Sequence, residues 1–212
     1  MYFADIINVA LEDLRPILKG KLDYKDVIRY LNKFLGDKTL KFKFEKIKMR
    51  VNHYAIGGFY DMQTDKRYII LYFSNKKDSI FIRKIKQNEF FFCLSQVIQH
   101  ETIHACQWSK RDYDLYLPRT IPNNLIAEDN NEDEKYLADP DEIDAYGHDI
   151  AMEIKFYYRN KDPYKVLDEI DNARKVFSYR YYKNTFKNNK QTWEKIRYKL
   201  LRKTYKWIPH AR

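Results

Sequence analysis

Two of the chain's five histidines, His100 and His104, stand four residues apart in FCLSQVIQHETIHACQWSK (residues 92–110), and Glu101 directly follows the first. On an α-helix successive side chains turn by ~100°, so the two imidazoles lie about 40° apart, one turn up. From there they can converge on one metal ion at nitrogen–metal distances of ~2.0–2.1 Å. Glu101 falls about 60° from His104 on the same broad side. That is too far round for an easy third ligand, yet near enough to take a proton from a water held on the ion. Two neutral donors with one adjacent carboxylate base suit metal-assisted hydrolysis. Chance gives this pattern in a chain of this composition on the order of once in a hundred. The rival reading is an exposed helix on which surface histidines coincide. Leu94, Val97, Ile98 and Ala105 give the segment an apolar side and no Pro or Gly interrupts it, which favours the site.

The elements that must position these residues follow from periodicity. Asn88 is a good N-cap, so the helix is expected from there to about Trp108. Ahead of it, Ile6 to Leu14 repeat at helical spacing up to Pro16, and Tyr24 to Leu35 form a second helix closed by Gly36. From Leu40 the period becomes two. It slips at Glu45-Lys46 and resumes with Ile47, Met49 and Val51, which predicts a bulge or break. YAIGGFYD and RYIILYFS, separated by residues 62–66, read as a hairpin, and SIFIRKI as a further short strand. A small antiparallel sheet thus precedes the helix. Residues 113–135, with Pro118, Pro122 and the acidic run EDNNEDE, read as an irregular solvated connector. LADPDEIDAYGHDIAMEIKFYY restarts a helix with Asp139 as N-cap and Pro140 in the first position; Asp162-Pro163 repeats that start. A basic helix spans about Gln191 to Trp207. The expected class is α+β, with a core over residues 1–158 and a basic helical extension over 159–212 packed on it as one compact domain.

HETIH at His100 to His104 resembles the zinc-binding helix of the zincin metallopeptidases. A sheet before the helix and a helical part after it also fit that layout. The resemblance implies Zn2+ held by His100 and His104, with Glu101 as general base and proton shuttle in peptide-bond hydrolysis. The metzincin continuation, Gly at three and His at six residues past the second histidine, is absent, since Gln107 and Lys110 stand there. SprT-like proteases would supply a further histidine, and His148 is the only one between His104 and His210. The gluzincin type takes a glutamate from a second helix. Glu142 in DPDEIDAYGHD, thirty-eight residues past His104, matches that best. Small phage-encoded metallopeptidases are similar in carrying a Pro-x-Glu-Ile-Asp-Ala segment after the zinc helix.

Glu142 has a competing role. Three residues past an N-cap, it can return to the backbone as a capping box, leaving Asp139, Glu128, Asp144 or His148 as third ligand. In the thermolysin pattern an aspartate four residues past the ligand glutamate orients a zinc-bound histidine. Tyr146 stands there instead, with Asp144 and Asp149 nearby, so that orienting partner stays open. Three ligands of net charge −1 would leave the fourth position to a water whose pKa falls toward ~7. Oxyanion donors are sought among His53, Tyr54, Tyr146 and His148. The resemblance further implies that a sheet edge near the helix would hold the protein or peptide substrate by strand addition.

Composition bounds the setting. Hydrophobic residues are 44% of the 212, enough for a core, with only five glycines and six prolines. No apolar run approaches the ~18 residues of a membrane span, so no membrane is expected. The N-terminus lacks a basic, cleavable leader, which places the chain in a cytoplasm, or in a host cytoplasm or virion if phage-encoded. Cys93 and Cys106, thirteen residues apart on one helix, would be about 20 Å apart, beyond the ~7 Å a disulfide spans. The charge is +10 overall, and residues 174–212 hold thirteen Lys/Arg against one acid, Glu194. This tract fits a polyanion surface for nucleic acid or an acidic protein. It equally fits helices packed through Val176, Phe177, Tyr181, Phe186, Trp193, Ile196, Leu200 and Leu201 with solvated lysines. Three functions follow: a zinc metallopeptidase, a nucleic-acid-associated protease using the basic helices, or a non-enzymatic zincin-like structural or binding protein.

Overall fold

The computed structural model describes residues 3–18, 20–82, 84–111 and 132–211, which fall into two units, Met1–Trp108 and Ser109–Arg212. The chain order in the first is α1 (Phe3–Leu14), β1 (Gly20–Asp23), α2 (Tyr24–Phe34), β2 (Leu40–Ile47), β3 (Tyr54–Asp61), β4 (Lys66–Ser74), β5 (Ser79–Ile82) and α3 (Lys84–Ser109). The second holds α4 (Glu132–Leu137), α5 (Pro140–Tyr157), α6 (Pro163–Asp168), α7 (Phe177–Thr185) and α8 (Lys190–Trp207). The class is α+β with small sheets and a helical C-terminal part.

In the first unit β4 is central, because its inward residues Ile69, Leu71 and Phe73 are fully buried. The hairpin to β3 forms as expected, its turn held by Asp61, which accepts from Gln63 N at 3.0 Å and Thr64 Oγ1 at 2.6 Å. The sheet is nevertheless mixed, correcting the antiparallel expectation. β4 inserts between β2 and β3, so β2 meets it in parallel, from Leu40↔Arg67 to Ile47↔Ser74. That register is unbroken, so neither a bulge nor a break occurs at Glu45-Lys46. The alternation slips there because β2 surfaces: Glu45, Lys46 and Ile47 are all exposed. β1 went unforeseen, and it pairs with β5 as a separate two-stranded sheet.

α3 begins one turn earlier than its expected cap. Asn88 does not cap it, since its Oδ1 accepts from Arg15 instead. Buried polar contacts fix the helix in the unit. Gln87 Nε2 donates to the carbonyls of Arg15 at 2.9 Å and Leu18 at 2.8 Å. Ser95 Oγ donates to Asn8 Oδ1 at 2.9 Å, and Arg67 Nη1 to Thr102 Oγ1 at 2.8 Å. Phe90, Phe91, Leu94 and Ile98 pack into the same core as Leu11, Leu31 and Phe42, each such side chain contributing roughly 1.5–3 kcal/mol by burial. Tyr24 stacks on Phe73 with centroids 4.2 Å apart.

In the second unit the two Asp-Pro starts behave as the sequence implies. Asp139 accepts from Asp141 N and Asp162 from Tyr164 N, both at 2.8 Å, and each Pro takes the first turn. Residues 132–135 of the expected connector open α4 rather than forming loop; the rest of that connector, Glu128 included, lies outside the described residues. Gly147 sets the α5–α8 spacing: a Cβ there would stand 2.7 Å from Lys203 Cβ and 3.1 Å from Thr204 N. Ile196, Leu200 and Thr204 of α8 are buried. Asp171 collects the Tyr179 hydroxyl at 3.0 Å, Lys183 at 2.6 Å and Arg197 at 3.1 Å. Residues 159–212, read from sequence as a basic extension, lie in this unit together with α5. Neither Cys93 nor Cys106 is in a disulfide, and no described helix is long and apolar enough to cross a membrane.

Candidate metal centre

α3 carries the histidine pair. Thr102 faces Arg67 and returns its own proton to the Ile98 carbonyl at 2.7 Å. This ties the intervening side of the turn inward and leaves His100 and His104 to share another. Their rings meet at 72° with centroids 4.9 Å apart, and the two Nε2 atoms face each other at 3.1 Å. Two imidazole nitrogens so close must share either a proton or a cation. The far nitrogen of His104 helps decide which. Its Nδ1 lies 2.9 Å from Gln107 Oε1, an acceptor that requires the proton on Nδ1 and so puts the lone pair on Nε2. For nitrogen–metal bonds of ~2.0–2.1 Å at a tetrahedral angle, the expected nitrogen–nitrogen separation is about 3.3 Å, close to what is found.

Glu101, only 5% exposed, lies beside this pair on α3. The nearest wall is β3. A Cβ on Gly58 would come within 2.8 Å of both Glu101 Cγ and Glu101 Oε1, and 2.9 Å of Val97 Cγ1. Glycine is what allows the strand backbone to run against the carboxylate. β3 is also an edge strand, paired only with β4 among the described residues.

Glu142 occupies the third position of α5. The capping-box alternative does not form, because the Asp139 N–H bonds the Tyr136 carbonyl at 3.1 Å and the cap is made by Asp139 itself. His100, His104 and Glu142 form a group, one buried and two half-buried, whose ligand atoms all lie within 4.8 Å of one another and which could hold a metal ion. No family model, curated protein or solved structure matches the chain.

None of the other described ligand candidates joins this group. Asp139 caps α5. Asp144 pairs with Lys203 at 2.8 Å and accepts from Trp207 Nε1 at 3.2 Å. His148 is 1% exposed and meets Trp207 edge-on, with centroids 5.0 Å apart. Glu128 lies outside the described residues. Of the oxyanion candidates, His53 is exposed, and Tyr54 packs edge-on against Phe90 at 5.1 Å. Tyr146 is hydrogen-bonded to Tyr136. Burial first, then the Asp149 and Glu142 charges, push its phenol far above the ordinary tyrosine range, so it stays a protonated donor. Gln107 and Gly58 are the residues that sequence reasoning missed. The first signals itself only as a side chain one turn past His104. The second stands in a Gly-Gly pair inside a strand, where glycine often marks a close approach.

Proposed function

We propose that the chain is a zinc-dependent metallopeptidase of the zincin type. The observation that carries this reading is the His100/His104/Glu142 group with Glu101 next to it on the same helical turn. The donor set suits zinc: two neutral imidazoles and one carboxylate, the mixture of a catalytic site with an open fourth position. When bound, the ion supplies Lewis-acid polarisation of a carbonyl and lowers the pKa of water. The remaining roles belong to the chain. Gln107 holds His104 in the donor tautomer. Glu101 takes the proton of the attacking water and later delivers it to the departing amine. Gly58 keeps β3 against Glu101, so a peptide adding to the β3 edge that is unpaired among the described strands would be led past that carboxylate.

The test is Glu101→Gln. Zinc content by mass spectrometry should stay near one per chain in both forms, whereas hydrolysis of an unfolded protein such as casein falls by about 10³-fold in the variant. Zinc in both forms with hydrolysis by neither would leave a metal-stabilised binding protein. Absence of zinc from the parent would remove the metal reading altogether.

A further inference from the structure

The outward side of α8 divides its charged residues in a way that packing does not require. Lys203 and Arg197, on the flanks toward the core, are each neutralised by an acid of the same unit, Asp144 and Asp171 respectively. Lys195, Lys199, Arg202 and Lys206 form no ion pair among the described residues. Their spacing of four, three and four places them on one ridge, about 16 Å long at 1.5 Å per residue. Beside that ridge run Tyr198 and Tyr205, 67% and 60% exposed, seven residues apart and therefore on one line. Glu194, the single acid of residues 174–212, lies on the far flank of the tyrosines. Burial holds the Lys199 ammonium below its ordinary value, with no carboxylate among the described residues offsetting it.

We infer that this face of α8 binds single-stranded nucleic acid. A row of uncompensated cations tracks a phosphate backbone, and exposed aromatic rings give unpaired bases a surface to stack on. A duplex keeps its bases stacked internally and would leave the Tyr198 ring unused, whereas Tyr205 already rests on Tyr164 with centroids 4.9 Å apart. An acidic protein would use the cations but not the rings. The inference goes beyond the peptidase reading and does not depend on the metal.

The experiment is fluorescence anisotropy of the full chain with labelled 25-nucleotide oligo-dT and oligo-rU, with a 25-base-pair duplex and polyglutamate as competitors. Four phosphate contacts on a single strand predict a slope of about −3 in log affinity against log salt, hence roughly 50-fold weaker binding at 200 mM than at 50 mM. Lys195→Gln with Arg202→Gln should reduce that slope by about 1.4. Tyr198→Ala should weaken binding at least about fivefold without changing the slope. All three positions lie on the outer side of the helix, and circular dichroism checks that each variant stays folded. Binding of either oligonucleotide with these responses supports the inference. No binding at 50 mM salt overturns it, as does equal displacement by duplex or polyglutamate, or indifference to the tyrosine.

Discussion

α3 and α5 both bring carboxylates and histidines to a helix, but they use them differently. On α3 the polar residues of one turn are collected: His100 meets His104, Gln107 braces His104, and Glu101 stands beside them with Gly58 at its back. On α5 most are dispersed into structural work. Asp139 caps, Asp141 pairs with Arg111, Asp144 with Lys203, His148 lies on Trp207, and Glu153 accepts from Ser178 N and Oγ, both at 3.0 Å. Glu142 is the α5 residue that joins the metal-competent group. A row of chemically able side chains is therefore a poor guide by itself. Which ones bring a ligand atom within reach of the others is what distinguishes them.

The sharpest way to break this contrast is to exchange the roles. Glu142→Ala should lower zinc affinity, measured by chelator competition, by well over the ~100-fold typical of losing an outer partner. His148→Ala should leave zinc affinity unchanged and cost only packing, read as a lowered Tm. Equal losses of zinc from both variants would erase the distinction. Next in size, Gln107→Ala should weaken zinc by about 10–100-fold while Gln107→Glu restores it, because only an acceptor on His104 Nδ1 is required. Gly58→Ala follows: crowding Glu101 should destabilise the fold by ~1–3 kcal/mol in urea melts and reduce hydrolysis with zinc content intact.

The smallest effect concerns pH. Burial raises the Tyr179 phenol to about 12, against the partial relief given by Arg197. Its folded value lies above the unfolded one of ~10, so the stabilisation is full below that pH. It disappears as pH climbs toward 12. Tyr179→Phe should flatten that alkaline decline in a thermal-melt series, at a cost of about 1 kcal/mol at neutral pH from the lost hydrogen bonds.

Much of this was legible in local patterns. The HETIH turn, both Asp-Pro caps and the β3–β4 hairpin each depend on residues within a few positions of one another, and periodicity or capping chemistry reports them directly. The parallel pairing of β2 with β4 was not, because strand order depends on which strand buries most rather than on any pattern in β2. β1 is four residues long, too short for alternation to register. Asn88 reads as a cap until Arg15, seventy-three residues away, claims its side chain. For Glu142 the two sequence readings were chemically equivalent. They part only on the Asp139 N–H, whose partner is a carbonyl in the preceding turn.

Asp171 has a bearing on ionic strength. It gathers a lysine of α7 and an arginine of α8 in a stretch where thirteen cations face one acid. The like charges of this stretch act on one another over the longest range in dilute buffer, where the Debye length is ~30 Å at 0.01 M. Salt should then act on this half of the chain in opposition to its usual effect on surface pairs. Raising it toward 0.15 M shortens the screening length to ~8 Å and should relieve that like-charge repulsion. Purification at very low salt would leave this part of the protein at its least stable.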